Sequence, residues 1–278
     1  MARLKNVQNN FKKLLTLTCG SAKLVPHTVT SNNTNNTKMK KTLLIAAAAL
    51  AAGVISTQAQ PVYSQNIVGY ANVVTPTSGA QYLVACPFVI GVSNGANEVF
   101  GSSLPDFSTL LVWSVSANNY TVYLSDSGSP TLWDDSNFNP IAAPALPVGQ
   151  GFFLSPNGPN VTNTFVGNVA ISPGTSNVMT FPTAGAQYLV GCVVPYAGSV
   201  TNGNNSGGGA NLNGLPDFST VLVWSTAANN FTVFLSDSGS PTLWDDSNFN
   251  PVAAPSISVG QGFFVSPTAA NANWTTGL

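Results

Sequence analysis

The 278-residue chain lacks lysine, arginine and histidine after residue 41. Phosphate groups and nucleic-acid backbones are bound mainly through lysine and arginine, so no nucleic-acid partner is expected. The same absence excludes imidazole-based triads and zinc sites, Schiff-base lysines and phosphate-binding P-loops. All nine acidic residues lie beyond residue 41, so that part carries a formal charge of −9 although the whole chain carries −1. What remains is carboxylate, hydroxyl, amide and aromatic chemistry.

Long apolar runs are also rare, and the one that is present lies near the N-terminus. It spans about 14 residues, fewer than the ~20 of a membrane-spanning helix, and a charged start and small residues flank it. This pattern predicts a signal peptide at 39–59, cleaved before Gln60. We expect 1–38 to be a disordered leader from a misassigned start, with Met39 the true start; a long charged n-region is the alternative. The mature chain is expected to lack a membrane span and to be secreted, periplasmic or at the cell surface.

Two copies of one unit follow the signal. The repeated segments are Leu104–Pro156 with Leu215–Pro267, where 43 of 53 residues are identical, and Gly79–Val84 with Gly185–Val190. The second copy carries five extra residues, which fall in Gly203–Gly209. A period of about 110 residues is that of a domain, so we predict two separately folded tandem domains at 60–168 and 169–278.

Each unit has the pattern of an all-β fold. Thr109–Ser116 and Tyr120–Ser125 are rich in β-branched and aromatic residues and flank Asn118-Asn119, a pair suited to a hairpin turn. Alternation along Tyr82–Phe88 puts one apolar face inward, and a helical turn is expected at Asn97–Phe100. We therefore predict one antiparallel β-sandwich per repeat.

Cysteine is scarce, and only Cys86 and Cys192 lie beyond the leader, at equivalent strand positions. A disulfide needs Cα atoms about 4.4–6.8 Å apart, so bridging them would require the domains to pack about a near two-fold axis. Two separate buried thiols are the favoured alternative.

The densest polar cluster is Asp126–Pro140, repeated letter for letter as Asp237–Pro251. Calcium takes carboxylate and amide oxygens from flexible loops, and alternate-residue spacing can present such oxygens to one ion. The candidate calcium ligands are Asp126, Asp134, Asp135, Asn137 and Asn139, with Asp237, Asp245, Asp246, Asn248 and Asn250 in the second copy. Pro140 stands where an EF-hand loop has glycine, and the distal glutamate is missing, so a solvated Asx-turn loop is the favoured alternative.

The same loop holds the best candidates for ligand contact. They are Trp133 and Asn137, with Trp244 and Asn248 in the second copy. An aromatic face flanked by carboxylates and amides is typical of sugar-binding modules. The alternative is that Trp133 and Phe138 pin the loop onto the sandwich.

Catalysis is not expected. A glycosidase needs two carboxylates about 5 to 9.5 Å apart. Asp134 and Asp135 are adjacent, and adjacent side chains of an extended segment point to opposite faces. A pair between Asp126 and either of them remains open, so a carboxylate-dependent glycoside hydrolase stays as the third hypothesis.

Several segments together resemble a family of secreted bacterial (Verrucomicrobia-like) tandem β-sandwich repeat proteins. They are Tyr63–Tyr70, Tyr82–Pro87, the Leu104–Trp113 region, Pro147–Phe153 with its Pro-Gly-(Glu/Gln)-Gly-Phe-Phe-like strand, and Thr164–Gly167. The chain departs from that pattern at Cys86-Pro87, where Asn-Pro is usual, and at Ser258, where proline is expected. The resemblance covers most of 62–278, implies the compartment and the fold, and carries no catalytic residue.

The preferred hypothesis is a non-enzymatic structural or adhesive protein, secreted or in the cell envelope. Its partner would be an extracellular glycan, the envelope matrix or a second copy, contacted twice through the repeated loops. A pair of carbohydrate-binding modules is the alternative.

Overall fold

The computed structural model describes residues 67–201 and 209–278, which belong to one compact unit, Tyr63–Leu278. The predicted leader, signal peptide and cleavage site before Gln60 lie outside the described residues, as does most of the Gly203–Gly209 insertion.

Strands account for 44% of the structure and helix for 4%, which confirms the all-β prediction. The elements of the first repeat are β1 (Val68–Thr75), β2 (Tyr82–Ala85), β3 (Phe88–Val89), α1 (Ala96–Phe100), β4 (Thr109–Ser114), β5 (Asn119–Ser125), β6 (Trp133–Asp134), β7 (Gly151–Ser155) and β8 (Val161–Val169). Those of the second are β9 (Ser176–Phe181), β10 (Tyr188–Gly191), β11 (Gly198–Ser199), a 3₁₀ turn (Leu212–Gly214), β12 (Thr220–Ser225), β13 (Asn230–Ser236), β14 (Trp244–Asp245), β15 (Ser256–Ile257), β16 (Gly262–Ser266) and β17 (Ala272–Gly277). The helical turn expected at Asn97–Phe100 is confirmed by α1. Within the described ranges, no helix has the length and apolar character required to cross a lipid bilayer.

Both repeats are built around a five-stranded antiparallel sheet. Its strand order is β2-β7-β4-β5-β6 in the first repeat and β10-β16-β12-β13-β14 in the second. Smaller antiparallel sheets complete the structure: β1-β8-β3 in the first repeat, and β17-β9 and β11-β15 in the second.

The predicted hairpin forms between β4 and β5. Its cross-strand pairs include Trp113 with Tyr120 and Leu111 with Val122, and aromatic and β-branched pairs of this kind stabilise antiparallel strands. Asn118 has a φ of 47° in the turn, a left-handed conformation that asparagine tolerates.

A separate apolar core lies inside each repeat, between the five-stranded sheet and its smaller partner. In the first repeat Phe152 and Leu110 of the large sheet and Phe165 of the small sheet are fully buried. Phe100 of α1 packs edge-on against Phe152 and Phe165 at 5.8 and 5.9 Å. In the second repeat Trp274 packs on Phe263 at 5.5 Å. Burying each such side chain contributes about 1.5–3 kcal/mol, and the arrangement is sandwich-like.

A third cluster joins the two repeats. It contains Leu83, Phe153, Leu189 and Phe264, which are 3–6% exposed. The opposite face of each five-stranded sheet is therefore also covered by the other repeat: it is buried along β2, β7, β10 and β16 and half-buried along β4, β5, β12 and β13. This explains why the strands read as nearly continuous apolar runs, the pattern of sheets covered on both faces. The inward face predicted along β2 is confirmed, and its other face is buried as well.

The contacts at this junction come in exchanged pairs. Trp113 Nε1 donates to the Gln187 carbonyl and Trp224 Nε1 to the Gln81 carbonyl, both at 2.7 Å. These two contacts are the same contact with the repeats interchanged, because Trp113 corresponds to Trp224 and Gln81 to Gln187. An interface in which residue i meets j and j meets i is isologous, so the repeats are related by a pseudo-two-fold axis. Separate folding of the two domains stays a prediction.

Ala85 and its counterpart Gly191 meet at this axis. A Cβ built on Gly191 would lie 2.0 Å from the Ala85 Cβ. Backbone bonds hold both strands there: Ala85 N donates to the Gly260 carbonyl at 2.8 Å, and Gly191 N to the Gly149 carbonyl at 3.0 Å. Two alanines would clash at this point, so the sequence difference between the copies fits the packing.

Cys86 and Cys192 are buried free thiols in the two separate cores. Burial raises the pKa of each thiol to about 11. The disulfide alternative is therefore not realised, and both thiols stay protonated at neutral pH.

Candidate functional site

The acidic loop has the same local structure in both repeats. In the first, Asp106 ties it to the segment before β4 by accepting bonds from the backbone N–H and the hydroxyl of Ser127, both at 2.8 Å. Asp217 accepts the same two bonds from Ser238 at the same distances. The repeated sequence thus builds a repeated surface.

The two tryptophans of this loop are buried. Trp133 is 3% exposed and Trp244 is 1% exposed. Trp133 Nε1 donates to Asn97 Oδ1 at 2.6 Å, whereas Trp244 Nε1 has no partner among the described residues. Neither ring offers a face to a ligand, so the predicted sugar contact through these tryptophans disagrees with their burial. Trp133 instead fits the alternative in which it pins the loop, whereas Phe138, the other residue of that alternative, is 63% exposed and does not.

Asp135 closes an Asx turn. Its Oδ1 accepts bonds from the backbone N–H groups of Asn137 at 2.8 Å and Asn139 at 3.0 Å, and from the Asn139 side-chain amide at 3.3 Å. These bonds hold the pKa of Asp135 below its ordinary value, and the bond from the Asn139 backbone has the largest effect. The second copy forms the same turn through Asp246, Asn248 and Asn250. The alternate-residue spacing therefore builds a turn.

The other predicted calcium ligands are dispersed. Asp126 accepts a bond from the Gly128 N–H at 2.8 Å, and Asp237 does the same with Gly239. Asp134 and Asp245 are each 4% exposed. In the part of the chain that the structure describes, no three histidine, cysteine or acidic side chains gather as a metal site. The structure gives the calcium hypothesis no support.

Three of the exposed side chains of this surface are apolar and have an unusual backbone conformation. Phe107, Leu132 and Phe138 have φ angles of 63°, 64° and 60°, and they are 49%, 43% and 63% exposed. Bulky residues rarely adopt positive φ, and each costs about 1–3 kcal/mol there. The counterparts are Phe218, Leu243 and Phe249, at 62°, 64° and 59°. Strain and exposure are therefore reproduced in both repeats.

Phe107 and Phe138 form an edge-on pair, which we call the first phenylalanine pair. Their ring centroids lie 6.1 Å apart. The second phenylalanine pair, Phe218 and Phe249, has a separation of 6.0 Å. These pairs could not be predicted as a candidate site, because their only local signal in the sequence is a phenylalanine between two turn-forming asparagines, Asn137 and Asn139.

A small cavity lies against the acidic loop of the first repeat. It is lined by Asp106, Asp126 and Leu132 among others and has a volume of about 80 Å³; its counterpart has about 50 Å³. Ligand pockets are usually about 300–1,000 Å³. The cavity is too small for a sugar ring, so the glycoside-hydrolase hypothesis gains no support from it.

Compared with protein-family models, curated proteins and solved structures, the chain matches none.

Proposed function

We propose that this protein is a non-enzymatic extracellular adhesive protein that holds a repetitive partner through its two phenylalanine pairs. The observation that carries the proposal is that exposed phenylalanines in left-handed backbone occur identically in both repeats. Backbone strain persists only where the surrounding structure imposes it, and it concentrates at functional sites. Asparagine or glycine would fit these positions without that strain.

The area of each pair argues for bivalent use. At 49% and 63% exposure, Phe107 and Phe138 present about 200 Å² of apolar surface, on the basis of about 200 Å² for each full side chain. A stable interface buries about 800 Å² on each partner. One pair alone therefore binds weakly, while two tethered pairs can raise avidity by about 10² to 10⁴ when both engage.

The surrounding chemistry favours a glycan or envelope matrix. Asn137 adjoins Phe138 in the sequence and Asp135 lies three residues before it, so the ring has hydrogen-bonding groups close to it along the chain. The described part of the chain contains no lysine, arginine or histidine, so it has no cation to attract a phosphate-rich partner. Sugar rings, with an apolar C–H face and hydroxyl edges, match this combination.

The test replaces Phe138 and Phe249 by asparagine, singly and together, and measures binding to a glycan array and to purified cell-wall polysaccharide. Phe138→Asn or Phe249→Asn alone should weaken binding by about 10² to 10⁴, and the double variant should abolish it. Asparagine tolerates positive φ, so the melting temperature should be unchanged or higher.

Val92→Asn is the matched control, since Val92 is fully exposed and lies outside the two acidic loops. This variant should bind like the wild type. A double variant that binds as tightly as the wild type would refute the proposal.

Self-association is a second candidate, favoured by the position of β1 at the edge of its sheet among the described residues. Val68, Tyr70 and Val166 are 66%, 74% and 54% exposed, and Tyr70 lies directly opposite Val166 across β1 and β8. An exposed apolar edge strand is a template for pairing with another chain. Light scattering should then detect assemblies that Tyr70→Ser removes, serine being the residue at the equivalent position 176. A strictly monomeric protein at high concentration would eliminate this use.

The extracellular location depends on the predicted signal peptide. N-terminal sequencing of secreted or envelope material should begin at Gln60. A start at Met1, or at any residue before Met39, would contradict the export prediction.

A further inference from the structure

Two grooves flank the pseudo-two-fold axis at the junction of the repeats. The first has a volume of about 280 Å³ and is lined by Tyr82 of the first repeat with Trp224 and Gln261 of the second. The second has about 240 Å³ and is lined by the exchanged set, Tyr188, Trp113 and Gln150. The grooves are therefore two copies of one site, and each approaches the lower end of the size range of ligand pockets.

The two linings differ in polarity. Three polar residues of the first groove have apolar counterparts elsewhere in the chain: Asn72 corresponds to Val178, Thr226 to Val115 and Ser258 to Pro147. Val115 and Pro147 line the second groove. In the aligned segments most other exchanges replace one apolar residue by another. The polar differences are thus concentrated in one groove.

The internal hydrogen bonds of the first groove leave donors and acceptors free for a ligand. The Thr226 hydroxyl donates to the Gln81 carbonyl at 3.1 Å, which leaves its own lone pairs to accept. Gln261 Oε1 accepts the Ser258 backbone N–H at 2.9 Å, so the donor that Gln261 can offer a ligand is its amide nitrogen. Asn72 Oδ1 accepts a hydrogen bond from the Thr164 hydroxyl at 2.8 Å. The donor that Asn72 can offer a ligand is therefore also its amide nitrogen.

The rings and the charge state complete the site. Trp224 and Tyr82 are half-buried in the groove, with Trp224 fixed by its 2.7 Å bond to the Gln81 carbonyl. Among the described residues that line the groove, none has an acidic or basic side chain. A charged ligand would find no counter-ion there, whereas hydroxyl groups would find both donors and acceptors.

We propose that the first groove binds one small, neutral, polyhydroxylated ligand of the size of a monosaccharide. This site is distinct from the phenylalanine pairs and goes beyond the proposed adhesive function. It predicts one ligand per chain, whereas the two pairs predict two. With a handful of neutral hydrogen bonds and an open site, the affinity should be millimolar.

The test uses ¹H–¹⁵N NMR of the five tryptophan indole groups during titration with glucose, galactose, N-acetylglucosamine and myo-inositol. At least one probe should shift the Trp224 indole signal while leaving that of Trp113 unchanged, with saturation at one ligand per chain. Thr226→Val with Ser258→Pro gives these positions the residues of the second groove. It removes both hydroxyl groups and the Ser258 backbone N–H that holds Gln261 Oε1, and it should weaken binding about tenfold.

The second groove supplies the control, because its backbone turn is the same. Gln150 N donates to the Pro147 carbonyl at 2.9 Å, and Gln261 N to the Ser258 carbonyl at 3.0 Å. Ser258→Pro therefore keeps this turn bond and removes the N–H that donates to Gln261 Oε1. Val115→Thr should leave the affinity at Trp224 unchanged.

The assignment would be overturned if none of the four probes shifted the Trp224 signal, or if Trp113 and Trp224 shifted equally. It would also be overturned if Val115→Thr and Thr226→Val changed the affinity by the same factor. Loss of glycan adhesion in the Phe138→Asn and Phe249→Asn variants would leave it standing.

Discussion

Gly191→Ala is the most direct test of the junction between the repeats. The added Cβ would lie 2.0 Å from the Ala85 Cβ, whereas carbon atoms pack at about 3.5–4.0 Å. The two strands would have to separate by about 1.5 Å. Backbone hydrogen bonds tie each strand to the opposite repeat at this point, so the separation would disturb them as well.

The expected cost follows from overpacking at a tightly bonded site. We expect Gly191→Ala to destabilise by about 2 kcal/mol, which lowers Tm by about 4–8 °C in a body of this size. Ala85→Gly alone should cost about 0.5–1 kcal/mol, the usual penalty for glycine in a strand. In the double variant the Cβ added at position 191 would meet the Cα of residue 85 at 3.6 Å and the Gln261 carbonyl at 3.7 Å, both ordinary contacts.

The double variant should therefore return to within about 0.5 kcal/mol of the wild type, a coupling of about 2–3 kcal/mol. Urea and thermal unfolding of the four proteins in the cycle measure it. The packing at the axis would be refuted if Gly191→Ala left stability unchanged, or if the double variant were as unstable as the two singles added together.

Hydrogen bonds from backbone N–H groups, of which that of Val92 has the largest effect, lower the pKa of Glu98 to about 2. The stability that the charged Glu98 adds to the fold should be complete above pH about 4.5 and should be lost as the pH falls through about 2. Glu98→Gln should thus unfold more easily at neutral pH and match the wild type in strong acid; an equal gap at both would contradict this. Cys86 and Cys192 should react with a thiol reagent only after unfolding, because burial keeps them protonated; reaction in the native state would contradict it. The melting temperatures in calcium and in EDTA should be the same. A bound calcium ion at a hundredfold excess over Kd would instead raise the free energy of unfolding by about 2.7 kcal/mol.

Features set by local sequence could be predicted. The β4–β5 hairpin depends on strand-forming residues around Asn118, whose tolerance of positive φ is a property of the residue itself. The Asx turn at Asp135 likewise depends on neighbours two and four residues away. Both were available from short windows of sequence.

Features set by tertiary contacts could not. The burial of Trp133 depends on contacts such as that with Asn97, 36 residues earlier in the chain. The left-handed backbone of Phe107 is fixed by a bond from its N–H to the Ser125 carbonyl, and nothing in a phenylalanine signals that conformation. The second buried face of the sheets did leave a signal in the continuous apolar run Leu110–Trp113, which is uncommon in a sheet with one solvated face.

Trp133 and Trp244 have identical neighbours in sequence but unequal anchoring. Trp133 donates to Asn97, whereas Trp244 has a buried indole N–H without a partner among the described residues. An unsatisfied buried donor costs about 1–3 kcal/mol. Local opening should therefore be easier in the second loop, and its amides should exchange with deuterium about tenfold faster or more. The duplicated segment thus forms the same loop structure twice, and the closed form of the second loop should be shorter-lived than that of the first.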